Sequence, residues 1–427
     1  MGLSTCAGTG SGEISSAVDH YLGSAALALP IHYPRHLARS LYSWASTERA
    51  ADGEGQLKQR TSLQHMFSTA PLGTWVRLLS ENRGVSRPYW GKMAIILMVS
   101  ALTTPLRLVE RVCYGHRVAK TPIDKPPLII LGYGRSGTTH LHNLLAHDPN
   151  HGSVTTFQAL APTFSLIGRG WLKRLLAKNV PSKRPMDNVA VSLDLPQEEE
   201  IAFANTTHLS YLHHLSFPKQ TKAYFEKYVM MRGLTDEELT AWDRVCLDTV
   251  CKATLHANGR RIVLKNPINL ARIPHLLRLF PKAKFIHIMR NPYVVYPSIM
   301  RMYRALLPSY QLDTFAWEEM ENLFERNYVL MMQQYMQDRV LLPKENFAEV
   351  RFEALEQDPI SELERLYTEL ALPDWERAKK PIEDYLQTLS GYRKNRHQLD
   401  SSIIERVNQK WRFAVDAWNY QPPDASG

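Results

Sequence analysis

Short apolar runs alternate with longer stretches of helical periodicity through the second part of the chain, from about residue 123 onwards. Four such runs, rich in Ile, Leu, Val and Phe, lie at 128–131, 261–264, 284–289 and 347–352. Nearly continuous apolar runs are typical of strands that are buried on both faces of a parallel sheet. The pattern therefore predicts an α/β fold, with a central parallel sheet flanked by helices on both faces.

Helical patterns fill the intervals between these runs. A helix-rich insertion at about 150–258 separates the first two runs, and within it Thr235 and Glu238 have the spacing of a capping box. This box predicts a helix that begins there and ends near Ala257. Two further helices are predicted at 314–338 and 359–371.

Residues 1–122 show helical spacing and no strand alternation. We interpret them as a helical N-terminal extension that packs on the main domain, with a position on a membrane as the alternative. The proline-rich stretch at 121–127 marks its end, so that 123–427 forms the second unit. The longest apolar stretch, 93–102, is shorter than the ~20 residues of a spanning helix and predicts a buried or interfacial helix.

Composition narrows the choice of partners. The chain has 51 Lys and Arg against 42 Asp and Glu, a formal net charge of +9, which favours a phosphorylated ligand, an anionic membrane surface or nucleic acid. Because the basic residues are dispersed, we expect no nucleic-acid partner. The four cysteines include no CxxC pair and the chain has no HExxH motif, so we expect no metal.

The first 23 residues lack the basic and apolar regions of a secretory signal peptide. We therefore expect a cytoplasmic protein, or one that contacts a membrane peripherally. A Golgi location is the alternative, because 205–207 is a glycosylation sequon, although the pattern around it predicts a buried helix.

The most informative segment is the loop that joins the first apolar run to the next helix. It carries Gly132, Gly134 and Gly137, and glycines allow successive N–H groups to turn into one concavity at a helix N-terminus, which binds anions. The spacing matches the ATP-binding pattern GxxxxGK[ST], except that Thr138 replaces the lysine and Arg135 supplies the positive charge. The loop predicts a P-loop NTPase-like fold. Its ligand is expected to end in a shorter anionic group than the triphosphate of ATP.

A second anion-binding pattern follows the third apolar run. Arg290 ends this run, and Ser298 lies eight residues further on, in the following helix. A strand-terminal arginine offers a planar fork to a phosphate, and a hydroxyl two helical turns later can close around the same anion. Two phosphate contacts at adjacent strand ends indicate one bisphosphorylated nucleotide.

The octapeptide GYGRSGTT at 132–139 resembles the 5′-phosphosulfate loop of sulfotransferases that use 3′-phosphoadenosine 5′-phosphosulfate (PAPS). Arg290 and Ser298 have the spacing of that family's 3′-phosphate site, and GYRKNRH at 391–397 is similar to its late basic loop. The resemblance covers about 125–420 and favours the long-insertion branch, which includes bacterial and tyrosylprotein-type enzymes. It implies PAPS as the donor and the following cofactor-binding residues: Arg135, Ser136, Gly137, Thr138, Thr139, Arg290, Ser298, Arg393 and Lys394.

Sulfuryl transfer needs a base for the acceptor's proton and positive charge at the leaving phosphate. Lys265 is the candidate for that charge, because α/β sheets place ligands at the carboxyl ends of their strands. The DLPQEEE segment at 194–200, where Pro196 is predicted to begin a helix, is similar to a DxPxExE pattern of the long-insertion branch. We predict Glu199 as the base, followed by Glu198. Three downstream histidines are weaker alternatives: His208, His213 and His214.

Together these features predict an enzyme that transfers a sulfuryl group from PAPS to an acceptor hydroxyl or amine without a metal. The acceptor is expected to be a small molecule, a carbohydrate or a lipid, and the oligomeric state stays open. One alternative is a P-loop kinase or NTPase, which the missing lysine disfavours. The other is a non-catalytic module that binds a membrane or a polyanion.

Overall fold

A computed structural model of the chain describes residues 65–177, 192–389 and 401–422. Within them, five parallel strands form one sheet in the order β2-β3-β1-β4-β5. The strands are β1 (Leu128–Leu131), β2 (His151–Ser153), β3 (Arg261–Lys265), β4 (Lys284–Met289) and β5 (Phe347–Arg351). The four strands predicted from apolar runs are present, whereas the short β2 lies at the start of the insertion that was expected to be helical.

Three helices precede the sheet in the described residues: α1 (Leu72–Glu81), α2 (Trp90–Leu102) and α3 (Thr104–Ala119). A 3₁₀ turn at Arg87–Tyr89 leads into α2, so the helical run extends over Arg87–Ala119. This run is long and apolar enough to cross a membrane, with a mean hydropathy of 1.6 in its most apolar window. The helical run is thus longer than the apolar stretch 93–102 from which a buried or interfacial helix was predicted. Thr103 and Thr104 do not interrupt the helical path.

Mostly short helices make up the segment between β1 and β3. They are α4 (Thr138–Ala146), α5 (Thr156–Leu160), α6 (Ser165–Gly168), α7 (Trp171–Ala177), α8 (Glu199–Ala204), α9 (Thr221–Tyr224) and α10 (Asp236–His256). Single 3₁₀ or π turns lie at Tyr211–Leu215, Pro218–Gln220 and Phe225–Val229. The capping box of α10 is confirmed, because Thr235 Oγ1 accepts a hydrogen bond from the Glu238 N–H and the Glu238 carboxylate accepts one from the Thr235 N–H.

The helices after β3 are longer. They are α11 (Ile273–Leu279), α12 (Pro292–Tyr310), α13 (Trp317–Asp338), α14 (Phe352–Gln357), α15 (Pro359–Glu369), α16 (Trp375–Thr388), α17 (Ser401–Lys410) and α18 (Arg412–Ala417). Further 3₁₀ turns lie at Pro267–Ala271, Arg339–Leu341 and Lys344–Asn346. Helices α13 and α15 match the two helices predicted at 314–338 and 359–371.

Helices cover both faces of the sheet, because successive strand side chains point in opposite directions. Leu128 and Ile130 of β1 belong to one buried cluster, together with Leu141 of α4. Ile129 and Leu131 belong to the other, which includes residues of α8, α10, α12 and α13. This arrangement confirms the P-loop-like α/β fold, and it leaves the carboxyl ends of β1, β3 and β4 side by side.

The described part of the N-terminal extension shares the core of the sheet domain. Phe67, Trp75 and Ile96 are fully buried in the same cluster as Ile129. The hydroxyl of Thr69 donates a hydrogen bond of 2.7 Å to Asn205 Oδ1. Residues 65–119 therefore pack on the main domain along one side.

Candidate active site

The loop after β1 is pressed between the sheet and α14, which explains its glycines. Gly137 has a φ of +92°, and a Cβ there would collide with the Phe352 ring. A Cβ on Gly132 would lie 2.7 Å from the carbonyl oxygen of Ile288 in β4. Thr138 begins α4 directly after the loop, so the N-terminus of this helix lies at the loop. A glycine loop that leads into a helix N-terminus, here called the anion cradle, has the geometry that an anion site needs, and anion binding there stays a prediction.

The two predicted phosphate contacts are in direct contact with each other. Arg135 Nε donates a hydrogen bond of 3.1 Å to Ser298 Oγ, and Arg290 Nη1 donates one of 3.2 Å to the Arg135 carbonyl oxygen. They meet because β1 and β4 are neighbours in the sheet. The Arg290 guanidinium lies over the Phe352 ring at 4.1 Å. Burial lowers the pKa of Arg290, and the positive charge of Arg135 lowers it further, so an anion between the two groups would be stabilised.

Lys265, the last residue of β3, joins this loop to a carboxylate. Its buried ammonium lies 2.6 Å from Glu198 Oε1 and 3.3 Å from Thr139 Oγ1. The contact places a cation at the first turn of α4, beside the anion cradle. Glu198 remains partly exposed, with a quarter of its side chain accessible.

The three consecutive glutamates have three different surroundings. Glu198 is the N-cap residue of α8, which begins three residues later than predicted because Pro196 forms a β-bridge with Thr155 instead. Glu199 is buried, and its carboxylate accepts hydrogen bonds from Lys265 N (3.2 Å) and Asn269 Nδ2 (2.6 Å). Glu200 is fully buried and forms an ion pair of 2.7 Å with Arg272, so its role is structural.

The surroundings of Glu199 predict a pH-dependent stability. Burial raises its pKa from 4.5 to about 7. As the pH rises, the Glu199 carboxyl ionises in the unfolded chain before it ionises in the folded protein. Its contribution to the free energy of unfolding is therefore complete below about pH 4.5 and is lost as the pH rises through about 7. The total loss is about 3 kcal/mol. Glu199→Gln should therefore lose less stability between pH 5 and pH 8 than the wild type, as measured by urea unfolding. Equal losses in the two proteins would contradict this, and the exposed Glu364→Gln serves as the control.

A cavity of about 200 Å³ opens beside these groups. One part of its wall consists of residues of the glycine loop and the start of α4, together with a candidate base: Gly134, Arg135, Thr138, Thr139 and Glu198. Most of the rest is apolar, and includes Met66, Leu160, Ile201, Leu215, Phe225 and Met331. Glu199 is not among the described residues that line this cavity. The cavity therefore brings a carboxylate, an anion cradle and an apolar surface together.

Sequence reasoning missed several polar residues of the cavity wall. Tyr303 and Asn327 line it from α12 and α13, and in the sequence they look like ordinary positions of long helices. His214, one of the three weaker base candidates, also lines it, whereas His208 and His213 do not belong to its described wall. The His214 ring donates from Nδ1 to the Tyr211 carbonyl oxygen at 2.8 Å, because a carbonyl oxygen can only accept. Burial lowers the pKa of His214 to about 4, so the ring is neutral at pH 7.

Arg393 and Lys394 lie at 390–400, outside the described residues. Their contact with the nucleotide stays a prediction. The other predicted cofactor-binding residues are gathered along the carboxyl ends of β1 and β4: Arg135, Ser136, Gly137, Thr138, Thr139, Arg290 and Ser298.

The parallel sheet, the glycine loop after β1 and the paired arginines define a class of protein, and comparison with known families identifies it. Residues 126–377, more than half of the chain, match the model of the sulfotransferase family. The chain belongs to this family.

Relatives and solved structures agree with the family match. The chain is 33% identical over 347 residues to omega-hydroxy-beta-dihydromenaquinone-9 sulfotransferase Stf3 of Mycobacterium bovis, covering 81% of this chain and 89% of the relative. Stf3 of Mycobacterium tuberculosis matches to the same extent. Among solved structures, sulfotransferase STF9 from Mycobacterium avium has a TM-score of 0.60 at 17% identity, over 83% of this chain and 97% of the other. STF1 from M. tuberculosis H37Rv has a TM-score of 0.55 at 16% identity, over 74% and 85%.

These comparisons confirm the prediction of a sulfotransferase. The protein is an enzyme that transfers a sulfuryl group, and the kinase or NTPase alternative and the non-catalytic module are set aside. The similarity to STF9 and STF1, at less than 25% identity, supports the fold alone.

Proposed function

We propose that the protein transfers the sulfuryl group of PAPS to the hydroxyl group of an apolar, lipid-like acceptor. The observation that carries this proposal is the cavity in which the anion cradle and Glu198 meet a largely apolar wall. When bound, PAPS supplies an activated sulfuryl group linked to a phosphate, with a second phosphate on the ribose. The chain offers one contact region for each end of such a nucleotide.

The cradle and the arginines fit this donor. Gly137 is required because a side chain there would collide with Phe352, and it is the N-cap residue of α4, whose N-terminus is suited to binding a phosphate. Arg290 and Ser298, by resemblance to the family, hold the 3′-phosphate. The half-buried guanidinium of Arg290 lies close to Arg135, and a bound anion would offset their mutual repulsion.

We assign the base to Glu198 in place of Glu199, which the sequence favoured. Glu198 lines the cavity, whereas both oxygens of Glu199 accept hydrogen bonds from Lys265 N and Asn269. In the proposed step, the acceptor oxygen forms a bond to sulfur as the bond between sulfur and the bridging oxygen breaks. The acceptor proton passes to the Glu198 carboxylate.

Lys265 stabilises the charge that develops on the leaving phosphate. Its ammonium lies 3.3 Å from Thr139 Oγ1, at the helix N-terminus where that phosphate would be bound. The ion pair with Glu198 also fixes the carboxylate beside the cradle, so the base and the cation are oriented before the substrates bind.

The acceptor class follows from the cavity wall. Side chains such as Leu160, Phe225 and Met331 offer few hydrogen bonds to the hydroxyl groups of a carbohydrate, but they bind hydrocarbon well. Stf3, by its name, acts on a hydroxylated menaquinone, which is a lipid-like alcohol. Both points favour an apolar alcohol over a carbohydrate as the acceptor.

An acceptor screen tests this assignment. The purified enzyme is incubated with PAPS and a long-chain primary alcohol, a hydroxylated isoprenoid or a hexose, and sulfated products are measured by mass spectrometry. We expect products with the two apolar alcohols and a rate with the hexose at least about 10-fold lower, as an apolar pocket disfavours polar groups. A preference for the hexose would contradict the proposal.

The same acceptor chemistry bears on the location of the enzyme. An apolar alcohol partitions into bilayers, so we propose a peripheral membrane protein on the cytoplasmic side. The Golgi alternative gains nothing from the sequon, because Asn205 is fully buried and its amide donates to the carbonyl oxygens of Met66, Ala159 and Ile201. Cell fractionation with and without a high-salt wash tests this location, and recovery of all the protein in the soluble fraction at low salt would contradict it.

A further inference from the structure

The solvent-facing side of α2 and α3 is apolar over most of its length. Six large hydrophobic side chains are exposed on it, and we call them the apolar face: Trp90, Met98, Leu102, Leu108, Val109 and Val112. Val112 is 84% exposed and Trp90 is 61% exposed. Between Trp90 and Leu108, the exposed residues carry no charge.

Such a surface is unusual for a protein surrounded by water. Exposed apolar side chains are normally scattered singly, and a contiguous group marks a contact with a partner or a membrane. Among the described residues, the helical run from Arg87 to Ala119 is also apolar enough to cross a bilayer, and only 33% of its most apolar window is buried. The uncovered side therefore favours an apolar environment.

Within residues 82–120, the exposed charged side chains around the apolar face are all positive. Exposed arginines and a lysine flank it: Arg83 and Arg87 before it, and Arg111, Arg117 and Lys120 within its last turns or after it. The one acidic residue between 82 and 120 is Glu110, which is buried and lies 2.6 Å from Lys252 Nζ. The surface thus combines hydrocarbon with positive charge, which matches the phosphates and acyl chains of anionic lipids.

The opposite side of the two helices is attached to the protein at several points. Ser100 Oγ donates a hydrogen bond of 2.6 Å to the Ala70 carbonyl oxygen. The buried Lys92 ammonium donates to the Ser309 carbonyl oxygen, and Glu110 Oε2 accepts from Leu166 N at 2.8 Å. Because these contacts occur along the run, α2 and α3 cannot leave the domain to span a bilayer without breaking them. These contacts favour an orientation along a membrane surface over one across it.

We propose that the apolar face docks on an anionic phospholipid bilayer, with α2 and α3 parallel to the membrane plane. Helices of this kind bury their apolar side at the boundary between headgroups and acyl chains. A role for docking in acceptor supply rests on the proposed apolar acceptor. The position of the apolar face on the bilayer does not depend on that proposal. On its buried side, α2 contacts the segment before α1 through Ser100 and Ala70, and Met66 of that segment lines the acceptor cavity.

A second copy of this chain is a poorer occupant of the apolar face. A two-fold contact through this face would bring the basic groups of one copy next to those of the other, and like charges at an interface weaken association. Anionic headgroups, in contrast, neutralise each of these groups.

Vesicle binding tests the proposal. The full chain is mixed with phosphatidylcholine vesicles, with and without phosphatidylglycerol, and bound protein is measured by sedimentation at low and high salt. We expect anionic vesicles to bind at least about 10-fold more tightly than neutral ones, since each basic residue near the surface contributes about 5-fold. Val112→Glu should weaken binding about 10-fold, because it removes buried hydrocarbon and places a negative charge at the lipid.

Val340→Glu is the matched control, because Val340 is 79% exposed and lies outside the apolar face. It should bind vesicles as the wild type does. Both variants should sulfate a short-chain, water-soluble alcohol at the wild-type rate without vesicles, since neither position belongs to the active site. If the wild type binds vesicles as predicted but sulfates no alcohol, the proposed function fails and the docking surface stands.

Two results would overturn the docking proposal. One is equal binding of Val112→Glu and Val340→Glu to anionic vesicles. The other is a dimer in sedimentation velocity that Val112→Glu dissociates, with no binding of the wild type to either kind of vesicle, since the apolar face would then contact a second copy.

Discussion

Replacing Glu198 with glutamine is expected to lower the turnover number about 10²- to 10⁴-fold, the usual contribution of a general base. Glutamine preserves the size of the side chain but does not accept a proton at neutral pH. The affinity for 3′,5′-adenosine bisphosphate, measured by calorimetric titration, should not fall, because the variant removes a negative charge close to a bound anion. Steady-state kinetics with a long-chain alcohol and PAPS measure the turnover number.

Glu199→Gln is the matched control for this variant, since it makes the same change one residue further on. The Glu199 carboxylate lies against Lys265 N and Asn269, away from the cavity, so its turnover number should change less than about 10-fold. The opposite outcome, a large loss for Glu199→Gln and a small one for Glu198→Gln, would return the role of base to Glu199.

Arg290→Ala is expected to weaken the binding of 3′,5′-adenosine bisphosphate about 10- to 100-fold, because a hydrogen bond to a charged group contributes about 1.5–3 kcal/mol. The loss should be specific to the 3′-phosphate. The wild type should therefore bind the bisphosphate much more tightly than 5′-AMP, whereas in Arg290→Ala, which retains Ser298, this preference should be about 10- to 100-fold smaller. Arg290→Lys should lie between them, since it keeps the charge and loses the planar fork.

Two further arginine variants make the comparison specific. Arg135→Ala should weaken the binding of both nucleotides, because Arg135 belongs to the loop that holds the 5′-phosphate. Arg377→Ala, an exposed arginine on α16, should bind both as the wild type does. If Arg290→Ala still discriminates the bisphosphate from 5′-AMP as strongly as the wild type, Arg290 does not bind the 3′-phosphate.

The fold was predictable where burial imposes a long pattern. The strands β1, β3, β4 and β5 are apolar runs of four to six residues, and the Thr235 capping box marks the start of α10. The strand β2 was not predictable, because His151–Ser153 has three residues and no apolar pattern. Its place at the sheet edge depends on tertiary pairing with β3.

The site was predictable as a set of residues but not as a geometry. Consecutive residues of a helix point about 100° apart, so the sequence 198–200 could not show which carboxylate faces the cavity. The answer depends on where α8 begins, and the Thr155–Pro196 bridge delays that start to Glu199. The apolar wall likewise combines residues from the N-terminal extension, the insertion and α12 and α13, which only packing brings together.

The contact between Arg135 and Ser298 also depends on packing. The two residues are 163 positions apart, and each was identified from its own motif. That β1 and β4 are neighbours brings both motifs to one edge of the sheet. The structure thus joins two anion contacts into one cleft, which is the feature on which the proposed donor depends.

A crystal structure of the protein with 3′,5′-adenosine bisphosphate tests this feature most directly. We predict the 5′-phosphate on the N–H groups of the loop at 132–139 and the 3′-phosphate within hydrogen-bond distance of both Arg290 and Ser298. A nucleotide bound away from this cleft, or one whose 3′-phosphate contacts neither side chain, would contradict the account.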